Sequence, residues 1–293
     1  MSNDTYLRDV LRAQEVGPDS DEMKALQSAR ADIEALIRID FEECSPTIRY
    51  GGSKAKGTMN LEDFDLDVIT YFPKEDTAAG KTIKEIYQNV QDALSKKYSV
   101  APKTTALRVK DHERDLKIDV VPGRFVDDAK EDAYVNQNGG SKDFLKTNLD
   151  THIAHIRDSG FVAEDRLMKL WRPCAGIEVR TFPLELVVMK ILKKSAPSGL
   201  SDRLIRVLSA IRDEIGTITI EDPANSNNDL SEALHTGVRQ AMSLVASSSL
   251  QIFERDGWEG VFSRVANPKK SVRDDALRVS VRSSPVGTQP WRL

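Results

Sequence analysis

Residues 64–72 read Phe64-Asp65-Leu66-Asp67-Val68-Ile69-Thr70-Tyr71-Phe72, and residues 116–122 read Leu116-Lys117-Ile118-Asp119-Val120-Val121-Pro122. In both stretches acids alternate with apolar residues at the two-residue period of a strand, so Leu66 and Val68, like Ile118 and Val120, are expected to enter a core. Asp65, Asp67 and Asp119 then point to the opposite face. If the two strands are neighbours, three carboxylates converge. Like charges at that range repel and take up protons unless divalent cations stand against them, and an all-oxygen ligand set suits magnesium. Two such ions can steady an attacking hydroxyl and a triphosphate around one phosphorus, so the three acids are candidates for phosphoryl-transfer chemistry.

Just upstream, Thr47 to Tyr50 reads as a short strand running into Gly51-Gly52-Ser53-Lys54-Ala55-Lys56-Gly57-Thr58. A turn of small and basic residues lets the backbone approach an anion closely, and the amides of Gly52-Ser53 with the Ser53 hydroxyl can cradle phosphate oxygens. Lys54 and Lys56 either steer phosphates or solvate the loop. A lone Asp-x-Asp is ordinarily a solvated strand face, and Asp63 fits that reading. Pairing Asp63 with Asp65 is the alternative register; the alternation into Val68-Ile69 favours Asp65 with Asp67. What carries weight is the order: a Gly-Ser turn, a strand with two spaced acids, then a third acid ending a later strand.

Around this centre, residues 19–43 read as a long helix, with Asp19 and Glu22 at capping-box spacing and Met23, Leu26, Ile33, Leu36 and Ile37 at helical intervals. Thr82 to Tyr98 is a second helix. Thr105 to Val109 and Leu116 to Val121 are strands, joined as a hairpin by the polar link at residues 111–114. Beyond about residue 140 the pattern turns almost wholly helical, with helices expected at 144–157, 166–171, 184–192, 204–211 and 230–244. Residues 275–293, with Ser-Ser-Pro and Gly-Thr-Gln-Pro, read as an extended or flexible tail.

The 293 residues, 40% of them hydrophobic, exceed the usual size of one core and favour two lobes. No stretch approaches the roughly 20 consecutive apolar residues that cross a bilayer, and the first ten residues lack a secretory apolar run, so a soluble, cytoplasmic protein without membrane contact is expected. Cys44 and Cys174 stand far apart without metal-ligand spacing and read as buried thiols. Acids outnumber bases 46 to 42, for a net charge of −4. That balance disfavours a long nucleic-acid track and favours a small anionic substrate held by a few local cations.

The ordered constellation of Gly52-Ser53, Asp65 with Asp67, and Asp119 resembles the DNA polymerase β-like nucleotidyltransferases, specifically the bacterial CD-NTases related to cyclic GMP-AMP synthase and oligoadenylate synthase. The resemblance spans most of the chain, although the interval from Ser53 to Asp65 is a few residues longer than the tightest form of the motif. Lys146-Thr147-Asn148 with His152, Leu167-Met168-Lys169-Leu170-Trp171, and Glu221-Asp222-Pro223-Ala224-Asn225 echo further segments of these synthases. The resemblance implies an α+β fold: a nucleotidyltransferase core with a mixed sheet over residues 1–160, including the N-terminal helix, then a helical lobe over 161–275 and a tail at 276–293, with the active site in the cleft. It implies a monomeric enzyme making cyclic di- or trinucleotides from nucleoside triphosphates, ATP among them, with release of pyrophosphate. By the same resemblance Asp65, Asp67 and Asp119 hold two magnesium ions, for which manganese can substitute, Gly52, Ser53 and Lys169 hold the donor triphosphate, and Asp119 helps activate the acceptor hydroxyl. The diffusible product would reach an effector in anti-phage signalling of the CBASS kind.

Two other functions fit parts of the pattern. A tRNA terminal nucleotidyltransferase of the CCA-adding type shares the acidic strands but calls for RNA-binding regions with no evident counterpart here. A non-catalytic nucleotide-binding protein on the same scaffold is disfavoured by the presence of all three acids. Among secondary candidates, His152 and His155 have metal-like spacing without a third ligand nearby. Trp171 reads as helix-packing core, Tyr134 as a loop residue that could stack on a purine, and Asp222-Pro223 as an inter-helix turn.

Overall fold

The computed structural model describes residues 2–139 and 143–266. In chain order its elements are α1 (Asn3–Ala13), α2 (Asp21–Asp40), β1 (Thr47–Tyr50), α3 (Gly52–Lys56), β2 (Leu66–Phe72), α4 (Ile83–Ser95), β3 (Ser99–Pro102), β4 (Leu107–Asp111), β5 (Leu116–Phe125), β6 (Asp132–Asn136), β7 (Phe144–Asn148), α5 (Leu149–Arg157), α6 (Val162–Ala175), α7 (Thr181–Lys194), α8 (Leu200–Glu214), β8 (Glu221–Asp222), β9 (Asn225–Asp229), a 3-10 turn (Leu230–Leu234) and α9 (Thr236–Phe262).

The described residues form a mixed seven-stranded sheet of order β1-β2-β5-β4-β3, extended from β5 through β6 to β7. Only β2 and β5 pair in parallel; their register sets Leu66 opposite Ile118 and Asp67 opposite Asp119. Strand alternation does the rest. Leu66, Val68, Ile118 and Val120 are fully buried with Ile33 and Ile37 of α2 and Ile86, Val90 and Leu94 of α4. On the other face Ile69 and Tyr71 pack with Phe125, Ala133 and Val135, which leaves Asp67 and Asp119 at the open end of that face.

A separate cluster holds α6, α7, α8 and α9, and it includes Leu7 and Val10 of α1. Helix α1, not expected from sequence, thus buries its apolar side among the C-terminal helices. Gln14, fully buried, holds the next turn in place: its side-chain Nε2 donates to the Val265 carbonyl at 2.8 Å, its Oε1 accepts from the Glu62 amide at 2.8 Å, and its carbonyl accepts from the Leu61 amide at 3.1 Å. Trp171 is core, as its neighbours suggest, and its indole Nε1 donates to Ser249 Oγ at 2.9 Å.

Several local readings change. Residues 144–148 are strand, and a helix starts only at Leu149, because Phe144-Leu145-Lys146-Thr147 finds a partner in β6 and Asn148 then caps α5 by accepting from the Thr151 amide at 2.8 Å. Tyr134 lies on β6, with its ring edge-on to Phe144 at 5.0 Å, and not in a loop. The expected helix at 230–244 is a 3-10 turn followed by α9, and β8 with β9 forms a small hairpin, so the second half is less uniformly helical than its periodicity suggests. The cap of α2 is Ser20, whose hydroxyl accepts from the Met23 amide, in place of Asp19. The glycine turn after β1 closes into the short helix α3, ended by Gly57 at φ 76°. Cys44 is buried and Cys174 half-buried, both as free thiols. Among the described residues no helix is long and apolar enough to cross a membrane. The proposed tail at 276–293 lies outside the described residues.

The sheet and the helices are tied by buried charge. Lys56 of α3 pairs with Glu185 of α7, both side chains almost wholly buried, and Thr58 Oγ1 donates to the other Glu185 oxygen at 2.9 Å. Removing one member of such a pair strands a buried charge and costs about 3–5 kcal/mol, whereas replacing both costs far less. We expect Lys56→Met to destabilise the protein by about 3 kcal/mol in urea denaturation, with Lys56→Met/Glu185→Met recovering most of that loss. Additive losses in the double variant would show that the pair is not a stabilising unit.

Candidate active site

The turn after β1 brings the backbone against the acidic strand. The Gly51 amide donates to the Asp67 carbonyl at 2.9 Å, and Gly52 sits at φ 50°. A Cβ on Gly52 would fall 1.6 Å from Asp67 Oδ2, so no side chain fits there without displacing that carboxylate. Gly52 and Ser53 form one wall of a cavity of about 640 Å³, whose floor carries Asp65, Asp67 and Asp119. The helices close its other side with Lys169, Arg172, Arg180 and Phe182. Gly52, Ser53, Asp65, Asp67, Asp119 and Lys169 therefore line one cavity, whereas Lys54 and Tyr134 lie outside its lining.

The three acids do not share one environment. Burial, reinforced by the charges of Asp119 and Asp65, pushes the Asp67 carboxyl up to about 6. Burial also raises Asp65, with Arg108 opposing it. Asp119 is likewise penalised by burial, yet hydrogen bonds from Arg108 and then Lys103 hold its carboxyl below the ordinary value. Arg108 Nη2 donates to Asp119 Oδ2 at 2.7 Å and reaches Asp65 Oδ2 at 3.2 Å, while its Nε donates to Asp119 Oδ1. Lys103 Nζ donates to Asp119 Oδ2 at 2.8 Å. Among the described residues no group of three or more His, Cys, Asp and Glu side chains is already gathered in metal-holding geometry. The donor chemistry nonetheless fits a hard divalent cation: three carboxylates, all-oxygen ligands, on one cavity floor.

Other expectations resolve individually. Lys169 faces the cavity, but its Nζ donates to the Thr58 carbonyl at 2.8 Å, and burial lowers it to about 8. Lys56 is committed to Glu185. Lys54 Nζ lies 3.3 Å from Met23 Sδ. Asp63 falls outside β2 and pairs with Arg172 at 2.8 Å, so the residue in register with Asp119 is Asp67. His152 Nε2 meets Asp222 Oδ1 at 2.5 Å, and Asn228 Nδ2 donates to Asp222 Oδ2 at 2.9 Å. His152 is thereby bound into the far wall of the cavity without a metal-ligand partnership with His155, and Asp222 does more than shape a turn. Lys103 and Arg108 were not singled out from sequence. The available signal was the alternation Leu107-Arg108-Val109, which buries Leu107 and Val109 and turns Arg108 towards the acids.

No family model matches the chain, and no curated protein matches it. Solved structures do. The chain superposes on Escherichia coli MS115-1 CdnC, solved in complex with HORMA-deltaN, with a TM-score of 0.66 and 19% identity over 88% of this chain and 97% of that one. It matches the Bradyrhizobium diazoefficiens CD-NTase CdnG, solved with GTP, with a TM-score of 0.68 and 13% identity over 94% and 98%. The Vibrio cholerae cyclic AMP-GMP synthase DncV aligns with a TM-score of 0.60 and 16% identity over 87% and 76%.

The raised Asp67 carboxyl has a stability consequence in the metal-free protein. A carboxyl that holds its proton more tightly folded than unfolded loses stability as pH rises from its unfolded value, 3.8, through its folded value of about 6. With a chelator present, Asp67→Asn should be more stable than wild type by roughly 2–3 kcal/mol at about pH 8 and nearly equal to it at about pH 4. Thermal melts across that range check this; a gap independent of pH contradicts it. At these identities the superpositions bear on architecture, and there they agree: the chain has the fold of these solved CD-NTases, a mixed sheet with a helical lobe.

Proposed function

We propose that the protein is a magnesium-dependent nucleotidyltransferase that joins nucleoside triphosphates into a cyclic di- or trinucleotide and releases pyrophosphate. The observation that carries this is the parallel register of β2 and β5, which sets Asp67 beside Asp119, with Asp65 near, on the floor of a cavity walled by Gly52 and Ser53. The fold shared with CdnG, solved with GTP, and with the cyclic AMP-GMP synthase DncV supports the substrate class. We also propose a catalytic core to about residue 160, apart from α1, and a helical lobe from residue 161, whose residues beyond 266 lie outside the described ones, acting in the cytoplasm with an effector reached through the product.

In this reading Asp65, Asp67 and Asp119 hold the magnesium ions, which when bound supply Lewis-acid charge to the triphosphate and the attacking hydroxyl. Gly52 and Ser53 receive the donor's phosphates at the cavity wall. Before substrate binds, Arg108 and Lys103 hold Asp119 ionised by donating to it, and as a carboxylate it can accept a hydrogen bond from the acceptor hydroxyl and orient it. Lys169 joins the triphosphate only if it leaves the Thr58 carbonyl, a modest loss for a cation offered several phosphate oxygens. The cavity's far wall, with Phe182, His152, Asp222 and Asn228, is where an acceptor nucleotide would lie.

Asp119→Asn keeps the shape and removes the charge. It should cut product formation by about a thousandfold or more while the donor still binds within about threefold of wild type. Near wild-type turnover would remove Asp119 from the mechanism. The reaction itself is read by mass spectrometry after incubation with all four ribonucleoside triphosphates and magnesium, then phosphatase, beside an Asp65→Ala/Asp67→Ala control. A phosphatase-resistant cyclic product absent from the control is expected. Extension of a tRNA 3′ end in place of any cyclic product would favour the terminal-transferase alternative.

A further inference from the structure

Arg108 occupies the space between the acids. It is the β4 residue in register with Asp119, and strand alternation, with Leu107 and Val109 buried on either side, leaves its guanidinium no other face to occupy. Both Asp119 oxygens accept from it, one of them also accepts from Lys103, and Nη2 extends to Asp65. A cation fixed on the carboxylates that would hold a metal is a competitor for that metal.

We propose that Arg108 is an exchangeable counter-ion, a positioning residue that holds Asp119 and Asp65 in the metal-free protein and gives them up when a metal-bearing triphosphate arrives and offers its own phosphate oxygens to the guanidinium. This rests on the three-acid metal reading of the site. Arginine cannot leave by losing its proton, so the acids are freed only if the guanidinium finds another anion. A metal ion alone offers it none and must break a two-pronged, charge-assisted contact. A nucleoside triphosphate offers several oxygens in the geometry that a guanidinium fork prefers, in the same cavity and across from Gly52 and Ser53. Metal and nucleotide should therefore bind together far better than the metal binds alone, and by linkage each raises the affinity for the other.

The test uses the full chain and two probes: Mn²⁺ alone, followed by the paramagnetic resonance signal of the free ion, and the Mn²⁺ complex of an ATP analogue with a non-hydrolysable α–β bridge, followed by calorimetry. Arg108→Met should bind Mn²⁺ alone about tenfold tighter than wild type and the Mn²⁺–analogue complex about tenfold weaker, since one charge-assisted contact is lost from each side of the exchange. Arg108→Lys, which keeps the charge without the fork, should fall between. If Arg108→Met weakens both probes, or leaves Mn²⁺ binding unchanged, Arg108 only props up the acids and the proposal is overturned; Arg108→Lys guards against a misfolded methionine variant. An Asp65→Ala/Asp67→Ala control separates the two ideas. Should that control bind the Mn²⁺–analogue complex as wild type does, the three-acid reading fails and takes this proposal with it.

Discussion

Two carboxylates brought abreast by parallel strand pairing cannot both stay ionised in a half-buried cavity unless positive charge stands against them. The register of β2 with β5 imposes that condition on Asp67 and Asp119, and Asp65 adds a third acid. The surroundings answer it unevenly. Asp119 is satisfied by Arg108 and Lys103, whereas Asp67 lies deep against Gly52 with its carboxyl raised. Among the described residues, Asp67 is thus left without a side-chain cation partner of the kind that Arg108 and Lys103 give Asp119. A cavity so arranged is suited to ligands that bring cations and anions together, as a metal-bound triphosphate does.

The same constraint explains how the helices are coupled to the sheet. The glycine turn that passes over Asp67 continues into α3, and α3 is anchored to α7 through Lys56 and Glu185. Its end at Thr58 is held from α6 by Lys169 and from α7 by Glu185. The wall expected to receive phosphates is therefore built partly from helices far along the chain. A shift of α6 or α7 would be felt at Gly52 and Ser53 through buried hydrogen bonds, which tolerate loss poorly.

Much of this was readable in the chain because it depends on local period. Alternation in residues 64–72 and 116–122 specified which side chains enter the core, and Gly52-Ser53 announced a close backbone approach. What could not be read depends on partners. Phe144-Leu145-Lys146-Thr147 suits a helix or a strand by pattern, and β6 decides between them. The resemblance sends Lys169 to a triphosphate, and Lys56 reads from sequence as either steering phosphates or solvating its loop; only tertiary packing reveals Thr58 and Glu185 as their partners. Arg108 carries no motif; its importance follows from a strand register that no local spacing encodes. Helix α1 shows the same limit, since nothing in Leu7 or Val10 says that their neighbours lie beyond residue 155.

If Asp65, Asp67 and Asp119 form a metal site that a triphosphate completes, metal and nucleotide should be seen there together. The most direct measurement is a crystal structure with Mn²⁺ and a non-hydrolysable ATP analogue, read by anomalous diffraction. Anomalous peaks bonded to all three carboxylates, phosphates against Gly52 and Ser53, and Arg108 withdrawn from Asp119 are expected. A structure with the analogue bound, no peak among the acids and Arg108 still on Asp119 would contradict such a site.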